Sequence, residues 1–294
     1  MSAPTAPRGR ACAALGDMTL TIFRTEEAFA DGTVGTVVGV DGAPRTGEFF
    51  SVPEGPSGAP DGLWGGRLFD EVVIEDVVAP HDATGWFAGQ RLLRRVEGAE
   101  HIDMSRCVRA DATFADCASL EAIDVSRWQT GRLESAACMF DGCASLECLD
   151  VSRWDTGRLE DATGMFSGCR GLVVMDVSGW DTSRLSYASR MFMNCDALEA
   201  IDVSRWDVRA LADASGMFCN CSRLATLDVS RWDARSLACA RWMFADCTSL
   251  EAVDVSRWDA RSLADATEMF SDCPAGDGAS MARRGRDGAE REER

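Results

Sequence analysis

The chain has no lysine. All 30 of its basic residues are arginine, set against 48 aspartates and glutamates, and the formal charge is −18. Such a chain lacks the Lys/Arg footprint that neutralises phosphates, which excludes nucleic acid as a partner. It also lacks the basic patch that an anionic membrane surface attracts. Asn occurs twice and Tyr once while Ala, Gly, Arg and Asp abound, a bias of GC-rich coding rather than of chemistry. Histidine occurs only as His81 and His101, and the 13 cysteines include no C-x-x-C pair. A zinc site needs four closely spaced N/S ligands, so no metal and no cofactor are expected. No stretch reaches 18 apolar residues, so no membrane insertion is expected. Near the N-terminus only residues 11–15 form an apolar run, shorter than the roughly 7–15 residues of a secretory signal, so no export signal is expected either.

What the chain does have is a period. Trp128, Trp154, Trp180, Trp206, Trp232 and Trp258 stand 26 apart, and so do seven phenylalanines from Phe114 to Phe270 and seven cysteines from Cys117 to Cys273. Self-similarity at a fixed period of this length marks a stacked array, in which each unit buries its apolar face only against its neighbours. The series begins earlier than the Trp ladder suggests, since Trp86-Phe87 aligns with Met139-Phe140 and eight units run from Phe87 to Phe270. Such arrays present surfaces rather than pockets. No Ser/His/Asp, Cys/His or phosphate-loop pattern stands outside the repeat columns, and a Cys nucleophile needs a positioned His base. The chain is therefore not expected to be an enzyme.

Each unit divides in two. In residues 146–154 (LECLDVSRW) the apolar Leu149 and Val151 alternate with Asp150 and Ser152, the pattern of a half-buried strand. Strands of successive units are expected to pair in parallel. In the second half Leu159, Ala162, Phe166 and Cys169 recur at i, i+3, i+7 and i+10, one face of a helical or 3₁₀ turn. Asp155, Asp181, Asp207, Asp233 and Asp259 precede that segment, where a carboxylate can act as an N-cap or close an Asx turn. The expected fold is an α/β solenoid of leucine-rich-repeat type. Its 26-residue coils carry a parallel sheet on one face and short helical or 3₁₀ returns on the other, behind an N-terminal β-rich cap.

The Phe, Cys, Met, Ala and Leu columns are expected to form the core, with the ladder cysteines as free thiols. The off-ladder Cys138, Cys148, Cys219 and Cys239 are expected to be exposed. The Trp column packs at the strand's end, with a ligand-facing role as the alternative. Asp124, Asp150, Asp176, Asp202, Asp228 and Asp254 point away from the core on the sheet face, close enough to repel. Three readings offset that repulsion: an internal lattice with the serines two residues on (Ser126 and its equivalents) and with Arg127, Arg153, Arg205, Arg231 and Arg257; calcium held by the acidic oxygens; or a basic partner. Gly179 is the one gap in the arginine column.

Along the chain, residues 1–16 are expected to be a disordered tail, 17–80 a β-rich cap, 81–273 the repeat array and 274–294 a disordered polar tail. Within the cap, residues 18–24 (MTLTIFR), 34–40 (VGTVVGV) and 72–75 read as strands separated by Gly/Pro clusters.

These residues resemble the BspA-like leucine-rich-repeat surface proteins of bacteria. The family repeat, approximately L-x-x-L-D-L-S-x-W-D-T-S-x-V-x-x-M-x-x-M-F-x-x-C-x-S, corresponds here to LECLDVSRWDTGRLEDATGMFSGCRG at residues 146–171. The stretch WFAGQRLLRRVEGAEHIDMS at residues 86–105 is similar to the family's opening motif, and the likeness covers about residues 17–273. It implies surface display, adhesion and protein–protein contact without an assigned ligand. The expectation is a monomeric, non-enzymatic module at the cell surface that binds another protein through its sheet face, with those six aspartates as the contact residues. The alternative is a cytoplasmic interaction protein or a truncated, non-exported paralogue.

Overall fold

Alternating side chains build the N-terminal third. The computed structural model describes residues 9–277, apart from residues 29, 32, 53–63 and 65. It contains β1 (Arg10–Gly16), β2 (Thr19–Thr25), β3 (Thr33–Val38), β4 (Pro44–Ser51), β5 (Glu71–Ile74), β6 (Arg95–Glu97) and β7 (Ala122–Ile123). They form one mixed sheet in the order β3-β4-β1-β2-β5-β6-β7. Pairing is antiparallel among the first four strands and parallel from β2 through β7. Successive side chains of a strand face opposite ways. Leu20 and Ile22 of β2 accordingly enter the main core, while Phe23 joins Cys12, Ala14 and Phe49 in a small second core. Arg45 lies over the Phe23 ring at 4.7 Å and roofs that second core.

Strands β2, β3 and β5 lie where the alternating runs stand. Two strands do not. Strand β1 occupies residues assigned to the N-terminal tail, so the ordered fold starts at least seven residues earlier than residue 17. Its sequence RACAALG carries small residues that fit between neighbours on both faces, a pattern that does not alternate. Strand β4 runs unbroken through Gly47, where a Cβ would sit 2.4 Å from the Leu15 carbonyl oxygen. Residues 1–8 and 278–294 of the two expected tails lie outside the described residues, and residues 274–277 form a 3₁₀ turn.

From β7 onward the chain is nearly free of regular secondary structure yet strictly periodic. The expected returns are not helical: among the described residues the only helical segments are four short 3₁₀ pieces. The Phe-bearing half is instead a series of overlapping turns, with Met165 N–H donating to Ala162, Ser167 to Gly164 and Cys169 to Phe166 at 3.0–3.2 Å. The residues two before and two after each Phe hold positive φ, as Gly164 (61°) and Gly168 (69°) do in this unit. A positive φ at the third turn position is what a type II turn needs, and it breaks a helix. The same half, not the sheet half, carries most bonds between units: Ala162, Gly164, Phe166 and Gly168 donate to carbonyls of the next unit at 2.7–2.9 Å. The sheet half is looser than expected. Past β7 it is joined by isolated parallel bridges, Val174 to Ala200 and Ala200 to Thr226.

One hydrophobic core runs unbroken from Ala11 to Ala275. Along it the Phe rings stack from Phe87 to Phe270 at 5.1–6.0 Å. Trp64 closes the stack, 6.0 Å above Phe87. The Trp rings stack in a second column at 5.9–6.3 Å. Offset aromatic pairs at such spacing add to the burial of the rings themselves.

Candidate functional site: the acidic sheet face

The six sheet-face aspartates are all exposed and all built alike. In Asp150, Asp176, Asp202 and Asp228 the Oδ1 accepts both the backbone N–H and the hydroxyl of the serine two residues on, at 3.0–3.1 and 2.7 Å. Asp124 does the same with Ser126, and Asp254 accepts from the Ser256 N–H. Each carboxylate thus folds its own turn with one oxygen and leaves Oδ2 toward solvent. The serine hydroxyl, then the backbone N–H, holds Asp124, Asp150, Asp202, Asp228 and Asp254 below the usual carboxylate value.

The lattice is therefore Asp/Ser, not Asp/Ser/Arg. Arg127, Arg153, Arg205, Arg231 and Arg257 are exposed and make no ion pair among the described residues; they lower the ladder only through their field. Ion pairs form instead in the neighbouring column, where Arg209, Arg235 and Arg261 grip Asp207, Asp233 and Asp259 two residues before them. The spacing D-x-R in DVR, DAR and DAR is the sequence signal for those pairs. Asp155, Asp181, Asp207 and Asp259 also close the Asx turns expected of that column.

Over the middle units the sheet face sinks into an open groove of about 730 Å³, lined in part by Val174, Asp176, Ala200, Asp202, Thr226 and Asp228. An apolar or small column runs beside the acidic one. The unit at residues 171–180 departs from the pattern in three places, of which Val174 lines the groove. Val173 stands where Glu147 and Glu199 do, Val174 where Cys148 and Ala200 do, and Gly179 where the arginines do. Val174 is 63% exposed and Val173 38%. Apolar surface is thus bared at the one unit where the arginine screen is missing. A second concavity, about 610 Å³, lies between Arg127, Arg132 and Arg153 at the sheet's far corner.

The remaining columns are interior. All six Trp of the ladder are buried, and each indole Nε1 donates to a carbonyl of the preceding unit at 2.9–3.1 Å. That leaves no face of the ring for a ligand. The ladder thiols are free. Those from Cys117 to Cys247 donate to the carbonyl of the previous unit's Phe, as Cys169 does to Phe140 at 3.1 Å. Burial pushes Cys117, Cys195 and Cys247 up to about 12. Of the cysteines expected to be exposed, Cys148 is exposed, Cys138 and Cys239 are half-buried, and Cys219 is buried, against expectation. His101 Nδ1 engages the Ile74 carbonyl at 2.6 Å. No group of three or more potential metal-ligating side chains occurs among the described residues. No helix among them is long and apolar enough to cross a membrane.

A family model described as "Mycoplasma protein of unknown function, DUF285" matches residues 84–199 and again residues 165–279. The chain belongs to the DUF285 family. The two matches together span every unit of the array, so the DUF285 region is the periodic part and excludes most of the N-terminal sheet. No curated protein matches the chain.

Proposed function

We propose that this DUF285 protein is a non-enzymatic binding module: a monomeric leucine-rich-repeat solenoid, related to the BspA-like surface proteins, that holds a basic protein partner on its sheet face. The carrying observation is the groove, where Asp176, Asp202 and Asp228 line up beside the bared Val174. The ladder carboxylates spend one oxygen on their own turns and have a second to offer. An apolar anchor ringed by charge is the arrangement in which interface energy concentrates, and the acid ladder steers an arginine- or lysine-bearing partner toward it. Surface display and adhesion rest on the resemblance of residues 146–171 and 86–105 to that family and belong to the same proposal.

The test is capture by the immobilised full chain, side by side with Asp176→Lys/Asp202→Lys. The double variant also removes the turn bonds that Asp176 and Asp202 accept from Ser178 and Ser204, so circular dichroism and the urea midpoint check that the fold is kept. A partner retained by the natural chain and lost by the double variant supports the reading. Retention that survives both the reversal and about 0.5 M salt, where exposed charges are screened within a few ångströms, contradicts it.

A further inference from the structure

One corner of this acidic chain collects hydrogen-bond donors without matching acceptors. The concavity of about 610 Å³ is lined in part by Ser105, Arg127, Gln129, Gly131, Arg132 and Arg153. None of these three arginines forms an ion pair among the described residues. From Arg184 onward the arginines that follow each Trp are paired: Arg184 with Glu160, and Arg209, Arg235 and Arg261 with Asp207, Asp233 and Asp259. Arg132 can copy neither arrangement. The residue 24 before it, where Arg184 finds Glu160, is Val108, and the aspartate position is filled by Gln129.

Gln129 also leaves a backbone donor open. Asp103, Asp155, Asp181, Asp207 and Asp259 each accept the N–H two residues on and close an Asx turn. Gln129 makes no such bond, and the Gly131 N–H has no acceptor among the described residues. The Ser105 hydroxyl has none among them either. Asp155 is the one acid of the lining. Its Oδ1 accepts the Gly157 N–H, and its Oδ2 stands over Gly131, 2.7 Å from where a Cβ would be. Asp124 and Asp150 of the ladder feel the fields of Arg127 and Arg153 but bond to their own serines. Three guanidinium groups, a hydroxyl and a backbone N–H thus face a single carboxylate.

We propose that this corner binds a small sugar that carries a tetrahedral oxyanion ester, a sulfate or a phosphate. A guanidinium offers parallel N–H groups to two oxygens of such an anion, and an open backbone N–H adds a fixed donor. The concavity is far larger than a single oxyanion, and the Ser105 hydroxyl and Gln129 amide suit the hydroxyls of the carrier. A compact anion is favoured over a long polyanion, because the acidic ladder beside the corner repels whatever extends along the array. The site is separate from the sheet-face groove, and the two proposals stand or fall independently.

The test is calorimetric titration of the full chain at about 0.05 M salt, where exposed charges are only partly screened. The probes are N-acetylglucosamine 6-sulfate, glucose 6-phosphate, plain glucose, inorganic sulfate and a phosphoserine tripeptide. Saturable one-to-one binding of both sugar esters is expected, tighter than that of inorganic sulfate, with none for glucose. Arg127→Gln/Arg153→Gln should weaken it about tenfold or more. Arg231→Gln/Arg257→Gln, which removes the same charge from the matching positions of later units, should leave it unchanged. Gln129→Asp installs the residue that the equivalent positions carry, so it keeps the fold; it should close the turn on Gly131 and weaken binding. Asp155→Asn keeps the Oδ1 acceptor, removes the opposing charge and should tighten binding. No binding, equal losses in the two arginine pairs, or indifference to Gln129→Asp and Asp155→Asn overturns the proposal. Inorganic sulfate binding as tightly as the esters, or the phosphopeptide binding more tightly, overturns the assignment of a sugar.

Discussion

The indole Nε1 of Trp206 donates to the carbonyl oxygen of Val177 at 3.1 Å, across 29 residues of chain. Both groups are buried, and Val177 lies in the strand-like half that otherwise carries few bonds between units. The Trp column thus supplies to the sheet half the polar link that the turn half obtains from its backbone. Trp206→Phe keeps most of the ring and deletes the donor, leaving a buried carbonyl unpaired. Its cost is expected to be about 1–3 kcal/mol, read from the urea midpoint. An unchanged midpoint would mean that the bond contributes nothing.

Arg190 holds φ 57° in the position that Gly164 and Gly216 fill in the adjacent units at 61° and 62°. A non-glycine residue there is strained by roughly 1–2 kcal/mol, partly offset by the larger entropy that glycine loses on folding. Arg190→Gly is therefore expected to raise the thermal midpoint and Arg190→Val to lower it. A fall with glycine would contradict the turn geometry.

Buried thiols titrate late and react slowly, because only the thiolate is nucleophilic. In the native protein, alkylation by iodoacetamide near neutral pH is expected at Cys148 first and at Cys138 and Cys239 more slowly. Cys117 to Cys247 of the ladder should label only after denaturation. Peptide mass spectrometry decides it, and early labelling of Cys169 would remove that residue from the core.

Stability should plateau in mid-pH and fall on both sides. A carboxyl held below its unfolded value stabilises the fold above that value, and the gain is lost as pH drops through the folded one. The acid limb should begin near 3.8 and run to about 2, the value at which Arg261 holds Asp259. For the thiols the sense reverses: their contribution is intact below 9.0 and fades as pH climbs toward about 12. Urea titrations across pH measure both limbs. A decline setting in near pH 6.5 would point to histidine instead.

Much of this was readable in the residues. The period placed the core columns, since Phe and Cys at fixed spacing can only stack, and β2, β3 and β5 follow from alternation. The turn half reads as helical in the sequence because Leu159, Ala162, Phe166 and Cys169 satisfy a helical face equally well. Its corrective signal was present: Gly89, Asp116, Gly142, Gly168, Asn194, Asn220, Asp246 and Asp272 form a column of Gly, Asn and Asp only, the types that tolerate positive φ. Strand β1 escaped notice because ACAAL neither alternates nor looks polar. For the candidate site, the Asp–Ser turn was legible from D-x-S. The exposed Val174 was visible only as one of three departures in its unit, until the groove set it beside Asp176, Asp202 and Asp228.

The sheet face as the contact surface is tested most directly by amide hydrogen exchange on the full chain, free and saturated with its captured partner. Slowed exchange is predicted in peptides covering residues 173–179, 199–205 and 225–231, which hold the bared valines and the central aspartates. Protection confined to the turn half, at residues 162–168 and 188–194, or no protection anywhere in the array, would contradict it.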